Sequence, residues 1–418
     1  MTLTDWQANG GQSGRSSGKC PERVARVGGR LPGPRSGKRR SWSAGLPRLR
    51  RPGRLNGNLG YPLALWQLVV AATLICGWTH VAPGAEPQWL TGDALRDKID
   101  AVLHSTRYER QMSLQQNAAW QIMHGVLAFG RGFEVLDHDE PVNVLDWVFA
   151  GRPMKGWTLT PTRAGLRAEL EPGRNGQGHE DQWLAIISQC EVSPDERIIV
   201  GSDEYTVKDL IRRTMYDCYD GKESSWTLIA LSQYLSPKDQ TWTARDGETW
   251  SLGRLAGMEA GPSYNDNAWR SRIWNGACGG THRLIGLAMA LNRWQAAYPE
   301  RELTADWEAA RDRVQWAAET AHTYQLANGA FSILFFERPA NSRSIDEHLA
   351  ATGHTLEFLS LALSKERLQQ PWVEHAVEYL CDLLDRTREL DLECGALYHA
   401  AHGLVLYRQR VWGERGDW

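Results

Sequence analysis

Six short segments, each nearly all apolar and each opening on a histidine or a tryptophan, recur along the later part of this 418-residue chain. They start near His124, Trp183, Trp226, His282, His354 and His399, and Gly or polar residues lead into them. A helix that is apolar nearly all round must be covered on both sides, so these six belong inside a fold. Between them run segments with a single apolar stripe. The clearest is 304–323, where Thr304 suits a cap, acids fill the first turn, and Trp307, Ala310, Val314, Ala317 and Ala321 follow at helical spacing. In 371–387, Pro371 suits the first helical position, and Val373, Ala376, Val377, Leu380 and Leu384 share a face. Others sit at 92–105, 143–150, 206–219 and about 249–259.

Alternation of the two kinds predicts an all-α chain arranged as an α/α toroid: six helical hairpins in an inner and an outer layer. An open solenoid has similar periodicity, but the count stops at six and neither end carries a polar cap. One interruption is expected. Trp157–Arg163 and Gly165–Glu171 pair as a small β-hairpin, ending in the Gly-rich stretch 172–178, and this insertion should lie over one mouth of the ring.

Gln325-Leu326-Ala327-Asn328-Gly329-Ala330-Phe331 falls between an outer and an inner helix, and Asp246-Gly247-Glu248-Thr249-Trp250 partly echoes it. The first has the spacing of the Q-x-x-D-G-x-W/F repeat, with Asn for Asp and Phe for Trp. In this the chain resembles the superfamily of terpenoid cyclases and protein prenyltransferase β-subunits, and the resemblance implies the α/α-toroid architecture over about 92–410. It does not extend to their chemistry. D-x-D-D, the acid cluster of protonating cyclases, and D-x-C, an element of the prenyltransferase zinc site, are both absent.

Three regions are expected. Residues 1–60 carry 13 Lys and Arg against Asp5 and Glu22 and have few apolar residues, the composition of a disordered basic tail. Residues 61–85 have no charged side chain and hold the apolar run 63–78, shorter than the roughly 20 residues that cross a bilayer. Small residues at 82–85 suit cleavage, so this is a signal peptide, or else an uncleaved membrane anchor. Both place residues 86–418, the toroid domain, in the cell envelope outside the cytoplasm, secreted, periplasmic or tethered to the inner membrane. That domain bears a net charge of −14, which argues against nucleic acid as a partner. Its five cysteines lack CxxC spacing and read as buried thiols rather than a disulfide framework.

In a toroid the starts of the inner helices converge on one mouth, bringing His124, His282, His354 and His399 to similar depth with Trp183 and Trp226. Glu357 and His402 lie one turn further along the same faces. The expected function is binding of an extended glycan or lipid-like ligand in the central cavity, with His124, Trp183, Trp226, His282, His399, His402 and Tyr398 as ligand-binding residues. The alternative is a glycan-processing hydrolase, lyase or epimerase, with Glu357 and His354 as the catalytic acid and base. No cofactor is expected. Cys278 with His282, and His399 with His402, have the helical spacing of metal-ligand pairs, but a third ligand is not identifiable from sequence. Phosphate loops, GxSxG and HExxH are absent from residues 86–418.

Overall fold

The computed structural model describes residues 89–418, apart from 172, 174, 239, 262–276, 414, 415 and 417. The basic tail and the apolar run lie outside the described residues. Among those described, no helix is long and apolar enough to cross a membrane.

The described chain is rich in helix, with four small antiparallel hairpins. All six apolar segments are helical: α2 (Ala119–Phe129), α4 (Gln182–Ser188), α6 (Ser225–Tyr234), α8 (Thr281–Ala297), α10 (Ile345–Ala362) and α13 (Cys394–Trp412). Between them stand the amphipathic helices α1 (Gly92–Tyr108), α3 (Val144–Phe149), α5 (Val207–Tyr216), α7 (Leu252–Ala260), α9 (Ala305–Thr323) and α12 (Pro371–Arg386), with a short turn α11 (Lys365–Leu368). Every side chain of α4 is buried, whereas α5 buries only Val207, Leu210, Ile211 and Thr214, so covering on two sides and on one follows the sequence pattern. Each apolar helix touches the next in chain order, and α13 touches α2. The amphipathic helices pack against this set from the other side: α12 meets α10 and α13, and α9 meets α8 and α10.

The hairpin predicted near 157–171 forms as β3 (Leu159–Thr162) and β4 (Gly165–Ala168), with Leu159 opposite Ala168. Three more were not predicted: β1 (Glu134–Asp137) with β2 (Glu140–Asn143), β5 (Arg197–Val200) with β6 (Asp203–Thr206), and β7 (Thr241–Thr243) with β8 (Thr249–Ser251). Each of the three feeds directly into an amphipathic helix through a residue that is both strand end and cap. Asn143 accepts from the Asp146 amide, Ser251 from the Arg254 amide, and the Thr206 amide donates to Asp209. The first two repeats match in detail, since Val144 N–H bonds Phe133 C=O and Val207 N–H bonds Glu196 C=O, eleven residues back in each. The partial motif at Asp246–Trp250 is the turn of the last hairpin, where Asp246 accepts from the Glu248 amide.

The closest helix pairing is α10 on α13. A Cβ on Gly353 would lie 2.6 Å from the backbone N and Cα of Ala400, and one on Gly403 would lie 2.9 Å from the Gly353 carbonyl oxygen. Glycine at these two facing positions lets the two backbones touch. Gly353→Ala should therefore destabilise the chain by about 2 kcal/mol, because backbone cannot move aside for the methyl group. Gly178→Ala, where a Cβ meets nothing within 4 Å, should be close to neutral; chemical denaturation of both variants checks the contrast.

Candidate functional site

Four of the predicted histidines meet. The rings of His354 and His399 stack with centroids 3.7 Å apart, His282 lies 5.1 Å from His354 and 5.3 Å from His399, and His124 lies 5.2 Å from His399. All four are buried. The middle of the site is therefore filled by imidazole rings at this level, where an open cavity for an extended ligand was expected.

They do not meet because they open their helices. His282 is the second residue of α8, but His124 and His399 stand five residues after the first residue of α2 and α13, and His354 stands nine residues into α10. The helix α10 begins at Ile345, capped by Ser344, whose hydroxyl accepts from the Glu347 amide. The polar run Asp346–His348 and the glycine at 353 hid this first half from the apolar pattern. What aligns the rings is the stagger of the helices and the glycine contact of α10 with α13.

Glu357 lies one turn beyond His354 and accepts from two imidazoles: His399 Nδ1 at 2.9 and 3.0 Å, and His402 Nδ1 at 2.7 Å. His354 donates its Nδ1–H to the Ala350 carbonyl at 2.7 Å, and His124 does likewise to Trp120. These bonds fix the tautomers. In His124, His354, His399 and His402 the Nδ1 is engaged, so Nε2 is the lone-pair nitrogen. The Nε2 of His354 is buried with no hydrogen-bond partner among the described residues.

Burial keeps the imidazoles uncharged. His354 falls to about 3 through loss of solvation and the neighbouring His399, His282 and His399 fall well below the ordinary histidine value for the same first reason, and His124 is lowered as well. The contacts of His399 with Glu357 are thus hydrogen bonds to a neutral ring rather than an ion pair.

Cys278 completes the cluster. Its sulfur and one nitrogen each of His282 and His354 lie within 4.8 Å of one another, as do ligand atoms of His354, Glu357 and His399. The residue is exposed by area, yet loss of solvation, with Glu357 and Glu393 adding, pushes its thiol up to about 12. The sulfur, turned toward the histidines, governs the chemistry, and the exposed area reflects the residue as a whole. Its backbone is left-handed, with φ 51° and ψ 46°, an uncommon state for a residue with a side chain and of a kind that gathers at functional sites.

The other predicted residues divide. The Trp226 ring lies tilted against His282, with centroids 4.1 Å apart, and borders the cluster. Trp183 instead stacks on Trp157 at 5.9 Å, and Tyr398 turns to Phe129 and Phe133, with ring distances of 6.2 and 6.1 Å. Adjacent residues on a helix point about 100° apart, so Tyr398 does not share the face of His399. No family model matches this chain, and neither a curated protein nor a solved structure does.

A second charged group, not singled out as a unit in the sequence, lies between α4 and α6. Asp181, its side chain 13% exposed, accepts from Lys222 Nζ at 2.7 Å, Thr214 at 2.8 Å and Thr227. Burial opposes its ionisation, but Lys222 and the hydroxyls outweigh this and lower its pKa, while Lys222, desolvated yet held by Asp181, rises to about 12.

The imidazoles make stability depend on pH. Each has a folded pKa below its unfolded value near 6.5, so the unfolded chain takes up protons first. Stability is fully present above about pH 6.5 and is lost as pH falls toward the folded values, about 3 for His354. For metal-free protein, urea titrations between pH 7 and pH 5 should show a loss of up to about 1.4 kcal/mol per pH unit for each buried histidine, and a His354→Gln variant should show a shallower slope.

Proposed function

We propose that the protein is an α/α toroid of the terpenoid-cyclase and prenyltransferase kind whose centre is a metal site, with Cys278, His282 and His354 holding a zinc-class divalent ion. The order of contacts among the six apolar helices supports the ring, since the last touches the first. The Gln325 loop supports it as well: Gln325 Nε2 donates to the carbonyls of Gly329 and Trp372, both at 2.8 Å, tying the connection before α10 to the amphipathic helix α12.

The observation that carries the metal reading is the His354 Nε2, a lone pair buried without a partner among the described residues, in a set of ligand atoms that close on one another within 4.8 Å. A bare lone pair inside a core is costly unless something accepts it. Thiolate and imidazole suit zinc-class ions, and the bond from His354 Nδ1 to the Ala350 carbonyl is the kind of outer support that metal-bound histidines use. Three protein ligands leave a fourth tetrahedral position for water or substrate, as in catalytic zinc sites. An ion held there would supply Lewis-acid chemistry of the kind used in hydrolysis, with His399, hydrogen-bonded to Glu357 and stacked on His354, beside it. The substrate is small or enters by one end, because the rings occupy the middle. An extracytoplasmic location belongs to this proposal through residues 61–85.

Elemental analysis of the purified full chain should find about one zinc-class ion per molecule, lost in a Cys278→Ser, His354→Gln double variant that still folds by circular dichroism. A chain that neither retains nor takes up such an ion, or a folded double variant with unchanged content, contradicts the proposal.

A further inference from the structure

A cavity lies apart from the histidines. It has a volume of about 310 Å³, within the range of small-molecule sites, and its walls come from β4 and the segment after it, the start of α4, the face of α5 and the loop between β7 and β8. Three guanidiniums, Arg167, Arg213 and Arg245, converge there on a single carboxylate, Asp217. Arg213 already holds it, with Nη2 donating to Oδ1 at 2.8 Å and Nε in ion-pair contact 2.6 Å from Oδ2. Arg167 and Arg245 stand off at 3.4 and 3.6 Å, too far for strong bonds, and their side chains remain 43% and 46% exposed. The two therefore line the cavity with positive charge that Asp217 does not use.

The rest of the cavity has a different character. Leu166, Leu184 and Leu210 give an apolar floor, and the Tyr219 ring lies 4.7 Å beneath the Arg245 guanidinium, holding it in place. Glu169 and Glu180 add carboxylates to the wall, and the pair of Asp181 with the buried Lys222 anchors that side, with Lys222 Nζ 3.4 Å from Glu180. Paired arginines select a planar carboxylate, and spare carboxylate oxygens accept hydroxyl groups but repel a compact multivalent anion. A flat apolar floor accepts the C–H face of a sugar ring.

We infer that this cavity binds a small polyhydroxylated carboxylic acid of the uronic acid class, with its carboxylate on Arg167 and Arg245, its hydroxyls on Glu169 and Glu180, and its ring over the leucines. The site stands apart from the metal centre and does not depend on it. Titration calorimetry on the full chain with glucuronate, glucose, hexanoate and inorganic phosphate tests it. Glucuronate should bind, glucose and phosphate should bind at least about tenfold more weakly, and hexanoate should bind more weakly for want of hydroxyls. An Arg167→Ala, Arg245→Ala double variant, both at partly exposed positions, should weaken glucuronate about tenfold or more while leaving metal content and the circular dichroism spectrum unchanged. Arg245→Lys should weaken it less. Equal binding of glucose, preference for hexanoate or phosphate, absence of glucuronate binding, or a double variant that binds as the wild type does would each overturn the inference.

Discussion

The contact of Gly353 with Ala400 and Gly403 sets the geometry of the centre. Two helices whose backbones touch place side chains one turn apart within bonding distance across the gap, so Glu357 reaches both His399 and His402, and His354 stacks on His399. With larger residues at the contact the helices would separate by the width of a side chain, and the carboxylate would lose its donors. Two hydrogen atoms in place of two side chains thus decide whether four imidazoles share one space.

That space is costly to maintain in two ways. Imidazoles that would titrate near neutrality in water are kept uncharged by burial, and the His354 Nε2 has no partner among the described residues. A bound divalent ion relieves both at once, by accepting the lone pairs and by bringing charge that the Cys278 thiol can answer as thiolate. The left-handed backbone at Cys278 belongs to the same arrangement, because it turns the sulfur back toward α8 and α10.

The helices were legible in the sequence because burial on two sides and burial on one leave different residue patterns, and all twelve segments fell where those patterns lay. Convergence of His124, His282, His354 and His399 was legible too, but for the wrong reason, since the rings meet along the helices and not at their starts. The first half of α10 was hidden because a helix capped by Ser344 and studded with Asp346, Glu347 and His348 does not read as apolar. Three hairpins were missed although each repeats an acid, a spacer, an apolar residue, a capping Asn, Thr or Ser and another apolar residue: Glu140–Val144, Asp203–Val207 and Glu248–Leu252. Such strands of three or four residues show too little alternation to stand out. The arginine cavity had no sequence signal beyond one helical ion pair, since Arg167, Arg213 and Arg245 come from separate elements.

X-ray absorption at the edge of the bound metal measures the centre most directly. The account predicts a mixed shell with one sulfur at about 2.3 Å and nitrogen scatterers at about 2.0–2.1 Å carrying the outer-shell pattern of imidazole, with the sulfur lost in Cys278→Ser. An all-oxygen shell, or a sulfur contribution that survives the loss of Cys278, would contradict it.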